Sequence, residues 1–308
     1  MRIIRKEDLP QHFSYPVATI GNFDGVHLGH QALFRETVKR AREKNGNAIA
    51  ITFHPHPLQV LRPEVPLKLI CTLEQKIKLI EEAGLDCLLL LEFTRELASL
   101  EAEDFVEEIL VRGLGIKELI VGYDYRFGRK RRGDTELLRL LGERFGFQVL
   151  VIPPQKVNGL TVSSTLIREF ISEGNVSLAA RLLGRYYMLC GKVIPGHGRG
   201  RRLLGFPTAN LKLSREKLLP KPGVYAVWVH LNGRQHPGVM NLGFNPTFGD
   251  GYLSAEVHIF DFQEDLYGKR ICLSFVSRLR DEKKFSSPEE LAQQIAADCQ
   301  KAREILKA

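Results

Sequence analysis

Apolar and polar positions follow two different rhythms along this chain, and the change falls near residue 185. Before it, apolar runs at 17–20, 48–53, 87–91, 118–121 and 148–152 have the length of buried strands. Between them the period is helical. One such stretch starts at Gln31, with Leu33, Phe34, Val38 and Ala41 on one side. Others run over 73–83, closed by Gly84, over 102–111, closed by Gly113, and over 135–145. This alternation predicts a parallel sheet covered by helices on both faces. In such sheets ligands bind beyond the carboxyl ends of the strands, where the chain order reverses. The loops after Ile20, Phe53, Val121 and Ile152 are therefore where chemistry is expected.

Beyond Leu183-Gly-Arg the helical period stops. Runs at 187–193, 223–231, 238–242, 255–262 and 270–275, divided by Gly and Pro turns, predict a small antiparallel barrel. Ser287-Pro-Glu-Glu290 is a capping box with Pro at the first helical position. It opens a terminal helix whose Leu291, Ile295, Cys299 and Ala302 form one apolar stripe, expected to pack against the barrel. The expected domains are 1–184 and 185–308, and no internal repeat is visible.

Composition adds limits. At 308 residues the chain can bury two cores, and 44% hydrophobic with 26% charged residues is a globular balance. No run approaches the roughly 20 apolar residues of a membrane span. The N-terminus, Met-Arg-Ile-Ile-Arg-Lys-Glu-Asp, has no signal-peptide core. The five cysteines (71, 87, 190, 272 and 299) are scattered, which predicts reduced thiols in a cytoplasm rather than a disulfide frame. A net charge of +8 suits anionic partners, nucleotides or nucleic acid.

The loop after Ile20 carries most of the chemistry. Gly21, Gly25 and Gly29 let the backbone turn and approach a ligand, and the helix start that follows is a seat for phosphate. His27 and His30 can donate hydrogen bonds to charge building on a phosphoryl oxygen. Half of a metal site is the competing reading, but no cysteine lies nearby. Neither a Walker A loop nor a dinucleotide fingerprint occurs. The run Gly21-Asn-Phe-Asp-Gly-Val-His27-Leu-Gly-His30 resembles the His-x-Gly-His nucleotidyltransferases, which specifies a superfamily and not a substrate.

Three other loops of the first half are unusual. His54-Pro-His56-Pro57 is stiff, and either histidine could reach a phosphate. Gly122-Tyr-Asp124-Tyr-Arg126-Phe-Gly128 runs into Arg-Lys-Arg-Arg132, five basic residues within seven positions. That run is equally a solvated charge cluster. Ser163-Ser164-Thr165-Leu-Ile-Arg168 is a helix entry, where an arginine opposes the dipole unless it faces an anion. In the second half, the glycines and cations between 191 and 202 form a plausible phosphate cradle. Gly205-Phe206-Pro207-Thr208-Ala209-Asn210 offers neutral oxygens suited to Mg²⁺ held mainly by nucleotide phosphates. Alternation in Ala255-Glu256-Val257-His258-Ile259 sets Glu256 opposite in direction to Val257 and Ile259. If the barrel lumen is the ligand site, Glu256 is the carboxylate available to it.

Taken in order, these motifs resemble the prokaryotic bifunctional riboflavin kinase/FAD synthetase family over nearly the whole chain. The resemblance implies a Rossmann-like adenylyltransferase domain followed by a six-stranded antiparallel barrel with a terminal helix. It implies two reactions, riboflavin to FMN with ATP, then FMN to FAD with a second ATP and release of pyrophosphate. Glu256 matches the family's general base, and Thr208 and Asn210 its magnesium and phosphate ligands. His27, His30 and Arg168 match its adenylyl-transfer residues. Gly21, Asn22, Phe23, Asp24, Gly29, His56, Asp124, Arg126, Ser164 and Thr165 match ligand-positioning places in the first domain. Gly196, Gly198, Gly205, Phe206, Pro207, Asn245 and Arg278 do so in the second. The implied partners are ATP, riboflavin and FMN, without nucleic acid or membrane, and with self-association left open. Two other readings compete: a nucleotidyltransferase with another acceptor has no use for Gly-Phe-Pro-Thr-Ala-Asn, and a basic nucleic-acid binder has none for Glu256 or the histidines.

Overall fold

The first unit of the chain, Met1–Ser164, is built on six strands: β1 (Arg2–Ile4), β2 (Val17–Ile20), β3 (Ala48–His54), β4 (Cys87–Glu92), β5 (Glu118–Gly122) and β6 (Gln148–Ile152). The protein's structure is a computed structural model that describes residues 1–195, 206–244 and 253–308. The strand order is β1-β4-β3-β2-β5-β6, with every pair parallel. The chain thus walks from β2 to β4 in one direction and then restarts on the other side of β2 with β5. The crevice beyond β2 and β5 is the switch point. β1 adds an edge that three mostly exposed residues did not announce.

Helices α1 (Leu28–Glu43), α2 (Pro57–Leu61), α3 (Leu73–Glu82), α4 (Arg95–Ser99), α5 (Ala102–Phe105) and α6 (Thr135–Phe145) cover the sheet. Two separate cores result, as alternation along buried strands requires. On one face Ala18, Ile20, Ile49, Ile51, Leu89 and Val121 meet Phe105 and the π-helix Val106–Gly113 that continues α5. On the other, Val17, Ala48, Ala50, Leu88 and Ile120 meet Leu33, Phe34 and Ala41 of α1 and Ile80 of α3. Helix α1 begins at Leu28, one turn before the expected start at Gln31, so Gly29 and His30 belong to its first turn. A short hairpin of β7 (Lys156–Val157) and β8 (Leu160–Thr161) follows β6.

The second unit, Thr165–Ala308, holds most of α7 (Ser164–Ser172), α8 (Val176–Leu183), the barrel and α9 (Pro288–Leu306). Contacts therefore divide the chain about twenty residues before 184/185, because α8 packs on barrel strands. The barrel strands are β9 (Tyr187–Ile194), β10 (Ala209–Leu213), β11 (Gly223–Leu231), β12 (Arg234–Phe244), β13 (Leu253–Ile259) and β14 (Arg270–Arg280). They close in the order β10-β13-β12-β11-β14-β9, all antiparallel. Five were expected from the apolar pattern. β10 is the addition, five residues behind a Gly- and Pro-rich stretch.

Residues on alternate positions fill the barrel. Tyr187, Leu189, Tyr225, Val227, Met240, Leu242, Val257, Leu273 and Phe275 are each at most 1% exposed. The opposite face of β11 and β12 carries Val224, Ala226 and Val239, against which Cys299, Ala302 and Leu306 of α9 pack. The stripe on the terminal helix does cover the barrel wall. Ser287 caps α9 by accepting from the Glu290 N–H, with Pro288 next in line. Arg280 of β14 forks onto Asp298 of α9, donating at 2.7 and 3.0 Å.

The cysteines need a correction. Cys190 and Cys272 stand directly opposite each other on β9 and β14 and form a disulfide. Residues 82 apart in sequence become register partners only when the barrel closes, so scattered spacing could not reveal the pair. Cys71, Cys87 and Cys299 are free and buried. No helix among the described residues is long and apolar enough to cross a membrane.

Candidate functional site

The loop after β2 is anchored at nearly every residue. Gly21 N–H donates to the Ile51 carbonyl, and Thr52 Oγ1 donates to the carbonyls of Gly21 at 2.8 Å and Asn22 at 3.3 Å. Lys76 Nζ of α3 donates to the same Asn22 carbonyl at 2.6 Å. The buried Asp24 carboxylate accepts from Ile70 N–H at 3.0 and 3.1 Å and from Cys71 N–H at 3.1 Å. Gly25 N–H donates to Cys71 Sγ. Phe23 is fully buried and packs edge-on against Phe34 and His30. Phe23 and Asp24, both named above as ligand-positioning, thus shape the loop from inside it.

What the loop presents is a pair of imidazoles at the start of α1. His27 is the N-cap, its Nδ1 accepting from His30 N–H at 3.4 Å. The two rings stack with centroids 3.6 Å apart and planes 18° from parallel. A Cβ on Gly29 would come within 3.1 Å of the His27 ring, so any larger residue there requires that ring to give by a few tenths of an ångström. The first turn of the helix also offers N–H groups and the positive end of its dipole. Ser164, the last residue of the first unit and the first of α7, donates from Oγ to the Asp24 carbonyl at 2.9 Å. Thr165 follows it, and Arg168 lies one turn further on the same helix face.

Beside this loop opens a cavity of about 840 Å³. Gly21, Asn22, His56, Asp124 and Arg126 all line it, so three separate sequence stretches named above converge. Its walls are aromatic: Phe53 meets Phe93 edge-on, and Tyr125 stacks on Phe127 with centroids 5.7 Å apart. Its rim is cationic, with Arg95, Arg129, Lys130 and Arg131. Arg126 pairs with Asp134 and Arg129 with Glu101, while Lys130 and Arg131 have no acidic partner among the described residues. Such a space suits a flat, partly apolar molecule carrying negative charge. His56 is buried and caps α2 through its Nδ1, which accepts from Leu58 N–H.

In the second unit the lumen reading fails. The interior is filled by the side chains described above, and Glu256 points the other way. It stands opposite Asn210 of β10 and opposite Asn241 of β12, so all three side chains share the outer wall. Asn241 was missed because it sits in an apolar run whose register with β13 is invisible before the barrel closes. Thr208 is exposed just ahead of β10, and the Pro207 carbonyl lies 2.8 Å from His258 Nδ1. Phe206 packs with the α9 core and edge-on to His258. Arg278 is engaged within its own unit, donating to the Pro222 carbonyl, the Asp281 carboxylate and the Tyr225 hydroxyl. Gly196, Gly198, Gly205 and Asn245 lie outside the described residues. Among the described residues no group of three or more His, Cys, Asp or Glu could hold a metal ion by itself. Thr208 and Asn210 offer neutral oxygens at the start of β10, the donor type that suits a cation held mainly by phosphates.

Comparison with known proteins agrees with this division of labour. The FAD synthetase family model matches residues 10–166, and the riboflavin kinase family model matches residues 183–306. A curated bifunctional riboflavin kinase/FMN adenylyltransferase of Pseudomonas fluorescens is 42% identical over 291 residues, covering 94% of this chain and 92% of the relative. The enzyme of the same name from Escherichia coli (strain K12) is 39% identical, with 94% and 92% covered. A solved structure named as a macrolide-efflux protein from Streptococcus pneumoniae superposes with a TM-score of 0.90 at 33% identity, over 98% of this chain and 99% of that one. With both family models matched in sequence along one chain and full-length relatives near 40% identity, the chain belongs to the bifunctional riboflavin kinase/FMN adenylyltransferase family.

Proposed function

We propose that the two halves catalyse successive phosphate transfers on a flavin, at sites whose chemistry differs because their acceptors differ. The barrel half phosphorylates the ribityl 5′-hydroxyl of riboflavin. An alcohol is a weak nucleophile near neutral pH, and Glu256 on the outer wall takes its proton as the oxygen attacks the γ-phosphate of ATP. FMN and ADP leave, and the proton stays on the carboxylate until it passes to water. Thr208 and Asn210 would hold Mg²⁺ together with the nucleotide phosphates, and the ion would supply charge neutralisation there.

The sheet half adenylylates FMN. A phosphate monoester, with a second pKa of about 6, is already mostly dianionic and attacks the α-phosphate of ATP without a base. Pyrophosphate leaves as the new anhydride bond forms. His27 and His30 donate hydrogen bonds to the charge that develops, and Ser164, Thr165 and Arg168 bind ATP phosphates. The aromatic cavity beside the loop receives the flavin, with Asn22, Asp124 and Arg126 around it. Because both reactions draw on ATP, the reading argues for a cytoplasmic enzyme acting on small molecules.

The observation that carries the proposal is the contrast between a stacked histidine pair at a helix start and a wall carrying Glu256 between two asparagines. Incubation with riboflavin, ATP and Mg²⁺, followed by mass spectrometry, tests it. FMN appearing first and FAD second is the expected result. FMN that never becomes FAD would assign the first half to other work.

A further inference from the structure

The loop that presents the histidines is held in a conformation its own residues disfavour. Phe23 has φ 48° and Val26 φ 40°, flanking Gly25 at φ 83°. A β-branched residue at positive φ is a true outlier, and such strain persists only where surrounding structure over-determines it.

Helix α3 supplies that restraint. Lys76 and Ile80 lie one turn apart and are both buried, Lys76 at 6% exposure. Burying an ammonium is costly unless it is paired, and a methionine would fill the same space at no such cost. The charge is spent on the loop: Nζ donates at 2.6 Å to the Asn22 carbonyl, one residue before the first strained position. Its acidic neighbour, Asp24, belongs to the same loop and is occupied by the N–H groups of Ile70 and Cys71. Burial lowers the lysine's pKa, while the attraction of Cys71 and Asp24 works against that. Thr52 grips the same carbonyl from β3, so Asn22 is held from two elements.

We propose that Lys76 is a positioning residue for adenylyl transfer, its ammonium on the Asn22 carbonyl fixing the backbone from which His27 and His30 are presented. The proposal rests on the reading of this loop as the ATP site. Lysine on a helix reads as solvent-facing, which is why its sequence position gives no hint of this task.

The test compares Lys76→Met, which keeps the volume, with Lys76→Gln, which keeps an N–H donor without charge. FMN-to-FAD and riboflavin-to-FMN rates are measured on the full chain alongside melting temperature. For Lys76→Met, kcat for FAD formation falls on the order of ten- to a hundredfold, KM for FMN stays within about twofold, and riboflavin phosphorylation is unchanged. Lys76→Gln is intermediate. Wild-type kcat in folded Lys76→Met overturns the proposal, as does a loss equal to the unfolded fraction. Should Lys76→Met not fold, Lys76→Gln decides: reduced kcat at the wild-type melting temperature supports the role, and wild-type kcat ends it. Wild-type enzyme that makes no FAD from FMN overturns the site reading itself, and the proposal with it.

Discussion

Glu256 stands between Asn210 and Asn241 in one row across three neighbouring strands of the barrel wall. Opposed side chains in a sheet have Cβ atoms about 4.5–5.5 Å apart, close enough for the amides to orient a carboxylate between them. Neither asparagine can accept a proton, so of the three only Glu256 can serve as a base.

Glu256→Gln keeps the shape of the row and removes its basicity. Riboflavin phosphorylation should fall by about 10²–10⁴ while FMN-to-FAD conversion persists. Separate rate measurements with riboflavin and with FMN check this, and equal loss of both in a folded variant would refute separate sites.

His30→Ala removes one of the two stacked rings. FAD formation from FMN should drop by about 10²–10³, the usual effect of deleting a donor aimed at developing charge, with riboflavin phosphorylation intact. Undiminished FAD synthesis would take the histidines out of the mechanism.

Gly29→Ala introduces a methyl 3.1 Å from the His27 ring. The backbone there is helical and accepts alanine, so stability should hold or improve slightly. Displacing the ring should still reduce FAD formation, which a melting curve measured alongside the rate would separate from unfolding.

Asp298→Ala leaves Arg280 without its buried partner; the two side chains are only 6% and 16% exposed. Breaking such a pair costs about 3–5 kcal/mol. The loss should appear in denaturant unfolding of the barrel half, with FAD formation from FMN unaffected at low denaturant.

Asp86 gives a pH signature. The Arg42 guanidinium, with two bonds of 2.7 Å, and the Ala48 N–H hold its carboxyl below the usual carboxylate range. A folded-state pKa below the unfolded value of about 3.9 stabilises the fold above that pH, and the benefit disappears as pH falls through the folded value. Asp86→Asn should therefore melt earlier than wild type near neutral pH, with the gap closing as the pH falls below the unfolded carboxylate value of about 3.9. A gap that does not change with pH would remove the charge from the account.

The parallel sheet was legible because buried strands are written as unbroken apolar runs, as at 17–20 and 118–121, and the glycine-histidine loop because few other structures need that composition. What was hidden depends on closure. Asn241 lies in Val-Met-Asn-Leu, and nothing local says that it faces Glu256. β14 runs on to Arg280 past bulges opposite Val224 and Ala226, which break the two-residue alternation that ended the expected strand at 275. β12 extends back through Pro237, which pairs with Trp228 of β11 and lies beyond the end of its pairing with β13. The disulfide and the Lys76 contact likewise join residues that only the folded chain brings together.

A barrel with a solid interior separates two kinds of constraint on adjacent residues. Val257 answers to volume, since a change there is felt by the packed aromatic and aliphatic rings inside. Glu256, the next residue along the same strand and the proposed base, faces the outer wall and does not answer to that packing. Specificity can accordingly be reshaped from the outside of such a cylinder while its stability is held, unaltered, from within.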